Sequence, residues 1–155
     1  MKSDVNFSYL TFLSVVAAIG GFLFGYDAAV ISGTISQVTA QFGLDEIQVG
    51  WFVGCALIGS IIGVLFAGKL SDMWGRKMTM LIAAVFFSVS GIGCAFIDSF
   101  EQLVFARILG GIGIGIVSIV SPLYISEVSI AQYRGRLVSL YQLAVTIGFL
   151  GAYLA

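Results

Sequence analysis

Five long apolar runs decide what this chain can fold into. They cover residues 9–33, 48–68, 78–97, 102–126 and 137–155, and only short polar connections separate them. An α-helix rises 1.5 Å per residue, so about 20 apolar residues cross the roughly 30 Å hydrocarbon layer of a bilayer. In lipid every backbone polar group must be satisfied within the segment, which a helix does and an open sheet does not. Composition removes the alternative of a soluble core. Hydrophobic residues make up 59% of the 155 and charged residues 10%, too few to coat a water-facing surface. The chain is expected to be an all-α integral membrane protein. The opening "MKSDVNFSYL" has one positive charge, as a signal peptide does, but the apolar run behind it continues to Val30, about twice the length of a signal core. It reads as a retained first span.

The basic residues give a test independent of hydropathy, because cytoplasmic connections collect Lys and Arg. Lys2 precedes the first run. Lys69, Arg76 and Lys77 lie between the second and third, and Arg134 and Arg136 between the fourth and fifth. The other two connections contain no Lys or Arg and carry Asp45, Glu46, Asp98 and Glu101. The expected topology is a multi-pass protein of the cytoplasmic membrane with its N-terminus in the cytoplasm.

Two charges remain inside the runs, Asp27 in the first and Arg107 in the fourth. Asp27 lies six residues before Gly33, and Arg107 six residues after Glu101. Each therefore sits roughly 9 Å below the outer boundary, on helices of opposite direction. A lone charge at depth costs about 2.5–3.5 kcal/mol or more, so a pair is the expected arrangement. Such a pair has two readings. It is a structural ion pair fixing helix register, or a proton-coupling site in which the aspartate takes up a proton when its partner moves away in low dielectric.

Other function classes find no support. The chain has no histidine, the commonest catalytic base and metal ligand, and no convergent nucleophile and base, so no enzyme, metal or cofactor is expected. A net charge of −1 gives no sign of a nucleic-acid partner. Cys55 and Cys94 lie inside apolar runs and read as small packing residues. The run "GGIGIG" (110–115) sits deep in a span with no strand before it, which excludes a nucleotide-binding loop. Gly59 and Gly63, like Gly111 and Gly115, are four apart and form small faces for close helix packing.

The segment "GKLSDMWGRK" (68–77) reads as a tight turn with a glycine at either end, one acid and two bases. As a pattern it strongly resembles the loop between helices two and three of the major facilitator superfamily. "SPLYISEVSIAQYRGR" (121–136) is similar to the signature after helix four of that superfamily's sugar porters. The opening stretch "GGFLFGYDAAVISG" resembles their first helix, and "YQLAVTIG" (141–148) their fifth. The resemblance runs through essentially the whole chain in the right order.

The resemblance implies the first five transmembrane helices of a twelve-helix fold, an incomplete N-terminal six-helix bundle whose C-terminal bundle is absent. It implies sugar/proton symport by alternating access. Asp27 and Arg107 fall at the proton-coupling positions, while Gln142 and Phe24 fall at positions that contact the sugar. Gly68, Asp72, Gly75, Arg76, Lys77, Glu127 and Arg134 correspond to the cytoplasmic gate and its charge network. The residue chemistry suits these roles: an amide both donates to and accepts from sugar hydroxyls, and an aromatic face suits the apolar face of a pyranose. The implied partners are a monosaccharide or similar polyol, a proton, membrane lipid and the missing C-terminal half. The chain is therefore expected to be an N-terminal fragment, inactive alone. A facilitative sugar uniporter of the same fold and a short, non-transporting membrane protein are the competing expectations.

Overall fold

The computed structural model describes residues 7–154, with side chains from Thr11 onward. Lys2 and Ala155 lie outside the described residues. The order is α1 (Phe7–Phe42), α2 (Glu46–Ala95), α3 (Phe100–Val128) and α4 (Arg134–Leu154). Each of the four is long and apolar enough to cross a membrane.

The helices outrun the apolar runs that predicted them. α1 continues nine residues beyond Gly33, so the connection expected over 34–47 shrinks to residues 43–45. "TISQVTAQF" contains no Gly or Pro and nothing stops the helix until Gly43. Gly43 takes φ 61°, the left-handed conformation that favours glycine, and the Leu44 amide donates to the Thr39 carbonyl at 3.2 Å. That is a Schellman closure, which satisfies carbonyls the helix end leaves open. Asp45 then caps α2. Its Oδ1 accepts from the Glu46 amide at 2.7 Å, and the Gln48 Oε1 accepts from the Asp45 amide at 3.0 Å. The acids read as loop charges are thus a cap and a first-turn residue, placed where a helix N-terminus favours negative charge.

α2 is the largest departure. Its 50 residues would extend about 75 Å if straight, more than twice a hydrocarbon layer. The backbone leaves helical geometry at Gly75, with φ 81° and ψ 159°. The expected turn over 68–77 is therefore a single-residue break. Gly68 lies within the helix, because "KLSDMW" has no residue that interrupts it. The dihedrals at Gly75 belong to a region essentially reserved for glycine. Gly75→Ala is expected to cost about 1–3 kcal/mol, read as a lower thermal midpoint of the purified protein; an unchanged midpoint would refute the requirement.

The chain divides into two compact units. The second comprises Val30–Val120. Here α3 packs on both limbs of α2, and the register gives their directions. Along the first limb Ala56 and Ser60 meet Gly111 and Gly115, and Gly59 and Gly63 meet Ile108 and Ile112; within each pair both numbers rise by four, so the helices are parallel. Along the second limb Ala83 meets Gly113 while Ser90 meets Gly110, so this pair is antiparallel. The two limbs consequently run in opposite directions from Gly75. Ala67, Ala83, Ile116 and Val120 form a shared buried cluster. Gly59, Gly63, Gly111 and Gly115 make the approach possible: a Cβ at any of them would run into a backbone carbonyl of the facing helix.

The first unit comprises residues up to Ala29 and Ser121–Ala155. Here α1 and α4 lie parallel, Gly21 and Gly25 against Tyr141 and Val145, and Gly148 against Phe22 and Tyr26. Ala17, Ile125, Leu137, Tyr141 and Val145 are its buried cluster. Within α3 the division between units falls beside Pro122, which has no amide hydrogen to donate to the Ser118 carbonyl.

Candidate functional site

The residues singled out by sequence fall at three places. In the first unit Asp27 is half-buried on α1, one turn past Phe24. Phe24 is also half-buried and packs against the Ala17–Tyr141–Val145 cluster. On α4 the glycine contacts turn Tyr141 and Val145 toward α1, which leaves the adjacent Gln142 exposed. α1 and α4 approach too closely for their faces to rotate freely. This interlock fixes which way Asp27, Phe24 and Gln142 are presented within the unit.

In the second unit Arg107 is half-buried on α3, between the buried Ala106 and the close-packed Ile108. Its guanidinium carbon lies over the ring of Phe52 on α2, 5.9 Å from the ring centre. Phe52 itself is only 3% exposed. A cation over an aromatic face is attracted by the ring quadrupole, and more strongly where water is excluded. The sequence reading passed over Phe52, since one apolar residue among many in a run has no signal marking it as a cation's neighbour. Cys55, one turn from Phe52, is fully buried, and its thiol donates to the Phe52 carbonyl at 3.2 Å. Neither Cys55 nor Cys94 is in a disulfide.

The third place is the break in α2. Asp72 and Arg76 face each other across it, Nη1 to Oδ1 at 2.7 Å, and the same Nη1 donates to the buried Ser71 hydroxyl at 3.0 Å. On the far side the Thr79 hydroxyl donates to the Gly75 carbonyl at 2.9 Å. The break is thus clasped by four side chains, of which Ser71 and Thr79 were not anticipated. Asp72 is 74% exposed, so the ion pair contributes little stability by itself and serves geometry. Lys77 is exposed beside it. Glu127 and Arg134 belong to the first unit. Glu127 is exposed in the last turn of α3 and Arg134 is the first residue of α4 rather than a loop charge, its amide donating to the Ile130 carbonyl at 3.0 Å.

Chemically, the chain presents one carboxylate and one guanidinium within apolar helices, an exposed amide, and a clasped charged break. No group of three or more His, Cys, Asp or Glu able to hold a metal occurs among the described residues.

Comparison with known proteins places the chain among transporters. The chain is 44% identical to the glucose transport protein of Synechocystis sp. over 154 residues, covering 99% of this chain and 33% of that protein. It is 42% identical to the arabinose-proton symporter of Escherichia coli over 144 residues, covering 93% of this chain and 30% of that protein. Its fold superposes on the inward-open xylose transporter XylE of E. coli with a TM-score of 0.88 at 39% identity, covering 94% of this chain and 39% of that one. Against XylE, a major facilitator superfamily proton:xylose symporter, bound to 6-bromo-6-deoxy-D-glucose, the TM-score is 0.90, over 96% of this chain and 37% of that one. The chain spans about a third of the length of the curated relatives it matches. Residues 13–155 match the family described as Sugar (and other) transporter, and at that coverage the chain belongs to it.

Proposed function

We propose that this chain is the N-terminal part of a sugar/proton symporter that carries a monosaccharide or similar polyol by alternating access. The observation that carries the reading is a carboxylate and a guanidinium, Asp27 and Arg107, inside apolar helices of a chain that belongs to the sugar transporter family, and we assign the pair to proton coupling. Ionisable residues in spanning helices are expensive and mark ion pathways. Uptake and release of a proton at a carboxylate in an apolar span ties one proton to each cycle, with the guanidinium of Arg107 as the charge that answers it in the proposed mechanism. Gln142 and Phe24 contact the sugar. Asp72, Arg76, Glu127 and Arg134 hold the cytoplasmic side closed while the site faces outward.

The break at Gly75 makes five crossings of four helices, and the helix directions support that count. α1 and α4 run the same way, as a first and fifth span must, and so do α3 and the first limb of α2. Lys69, Arg76 and Lys77 flank the break in α2, and Arg134 and Arg136 open α4; the enrichment of Lys and Arg in cytoplasmic connections supports reading both places as cytoplasmic in a protein of the cell membrane. The relatives, about three times as long, support a twelve-helix transporter in which a second bundle completes the sugar site.

Uptake of labelled pentoses and hexoses by cells expressing the complete gene product tests the reading. An inward proton gradient is expected to drive accumulation above the external concentration, and a proton uncoupler to collapse it to equality. Uptake that equilibrates and ignores the uncoupler would instead establish a uniporter.

A further inference from the structure

Between the second limb of α2 and α3 runs a furrow that the contacts of the two helices leave open. It lies wholly within the Val30–Val120 unit. The part nearer Gly75 has a volume of about 350 Å³ and only apolar side chains in its walls, among them Met78, Leu81, Val85, Phe86, Val89 and Leu109. The part farther from Gly75 has a volume of about 540 Å³, shares Val89 and Leu109, and continues past Gly93, Phe96 and Phe105 to Glu101 and Gln102. Both volumes fall in the range of pockets that hold small ligands. From Met78 to Ile97 the furrow climbs roughly 28 Å, about the thickness of a hydrocarbon layer.

Two observations say what fits it. The first is the shape of the walls. Where helices of this unit touch closely, glycine lets them, as at Gly59, Gly63, Gly111 and Gly115. The furrow is walled instead by Val85, Phe86, Val89, Phe96 and Phe105, bulky side chains that hold a further helix off. Gly93 is already turned to α3, its would-be Cβ 3.4 Å from the Ala106 side chain. A narrow slot between large apolar side chains suits a flexible hydrocarbon chain. The second observation is the charge at one end. Glu101 and Gln102 are exposed there, Asp98 is exposed in the connection just before them, and no Lys or Arg occurs between Lys77 and Arg107. We infer that the furrow binds a phospholipid whose head carries a primary ammonium, an ethanolamine phospholipid. One acyl chain lies along Phe105, Val89 and Leu109, and the ammonium donates to the Glu101 carboxylate and the Gln102 amide oxygen. A choline head carries the same charge but has no N–H to donate, and an anionic glycerol head meets like charge. In the orientation proposed above the lipid belongs to the outer leaflet. The assignment does not depend on proton coupling.

The experiment is native mass spectrometry of the complete transporter in detergent, titrated with dioleoyl phosphatidylethanolamine, phosphatidylcholine and phosphatidylglycerol. The chains are identical, so only the heads differ. The wild type is expected to bind the ethanolamine lipid about tenfold more tightly than the choline lipid, the size of one charge-assisted hydrogen bond. Glu101→Gln is expected to bring the two to within about twofold while leaving choline-lipid binding in place. Val89→Trp fills the furrow where its two parts meet and is expected to weaken both lipids by a similar factor. Ile92→Trp, on the same limb but outside the furrow's walls, is expected to change neither. Equal binding of the ethanolamine and choline lipids, tighter binding of the glycerol lipid, or a preference that survives Glu101→Gln overturns the inference. So does a Val89→Trp variant that binds all three lipids as the wild type does but has a lower thermal midpoint in lipid-free detergent, which would mean that another helix of the complete chain fills the furrow. Should Val89→Trp fail to fold, the comparison of wild type with Glu101→Gln decides alone. Sugar uptake is not the readout, so this result and the fate of the symport reading are separate.

Discussion

Cells expressing the complete transporter with Asp27→Asn are expected to lose proton-driven sugar accumulation entirely while retaining exchange of sugar across the membrane. Asparagine matches aspartate in size and removes only the titration, so the sugar contacts proposed for Gln142 and Phe24 would stay in place. What disappears is the link between the membrane potential and the sugar. One charge moving through 100 mV is worth about 2.3 kcal/mol, which sustains roughly a 50-fold concentration ratio for a one-proton symporter. The variant's ratio is expected to fall to unity. Exchange needs no net proton movement, and a neutral side chain resembles the protonated state, so labelled sugar should still equilibrate against unlabelled sugar. Accumulation by Asp27→Asn above the external concentration would remove Asp27 from the coupling mechanism. Loss of exchange as well would show that the residue is structural, the ion-pair reading left open by the sequence.

The second large effect is on folding. Gly111→Val is expected to lower the thermal midpoint and the folded yield severely, because a Cβ at Gly111 would run into the Ala56 backbone. The obstacle is main chain, which cannot rotate away as a side-chain tip can, so α2 and α3 must separate along their whole contact. Overpacking of this kind costs about 1–3 kcal/mol, occasionally more. Gly59 meets α3 in the same way, its Cβ directed at the Ile108 carbonyl. Since both substitutions act by parting the same two helices, Gly59→Ala and Gly111→Ala together should cost less than the sum of each alone. Gly54 is the comparison: no facing helix comes within 4 Å of its would-be Cβ, so Gly54→Ala should be neutral or stabilising by up to about 1 kcal/mol. Equal losses at Gly54 and Gly111 would contradict the packing described.

The same pair of helices shows why part of this fold could not be read in advance. Gly50 and Gly54 repeat on α2 with the spacing of Gly59 and Gly63, yet only the second pair meets α3. A spacing defines a small face; which face is covered depends on the partner helix. Gly68 and Gly75 present a similar contrast. Both looked like turn residues flanking a charged motif, but one is helical and the other takes a positive φ. Hydropathy also misjudged the helix ends, because it measures solubility in lipid while a helix stops only at a cap or a breaker. Hence α1 runs past Gly33 to Gly43, and Arg134 opens α4.

Apolar run length and a low content of charge are local properties, legible in order along the chain, and they determined the membrane class and the all-helical fold. Asp27 and Arg107 were legible for the same reason: a charge inside an apolar run stands out without knowledge of its neighbours. The contact between Arg107 and Phe52 joins positions 55 apart, and Phe52 differs in no local respect from the apolar residues around it. Only the packing of α2 on α3 through their glycines brings that ring beneath that charge, because proximity across helices is set by interhelical approach and not by anything written at either residue.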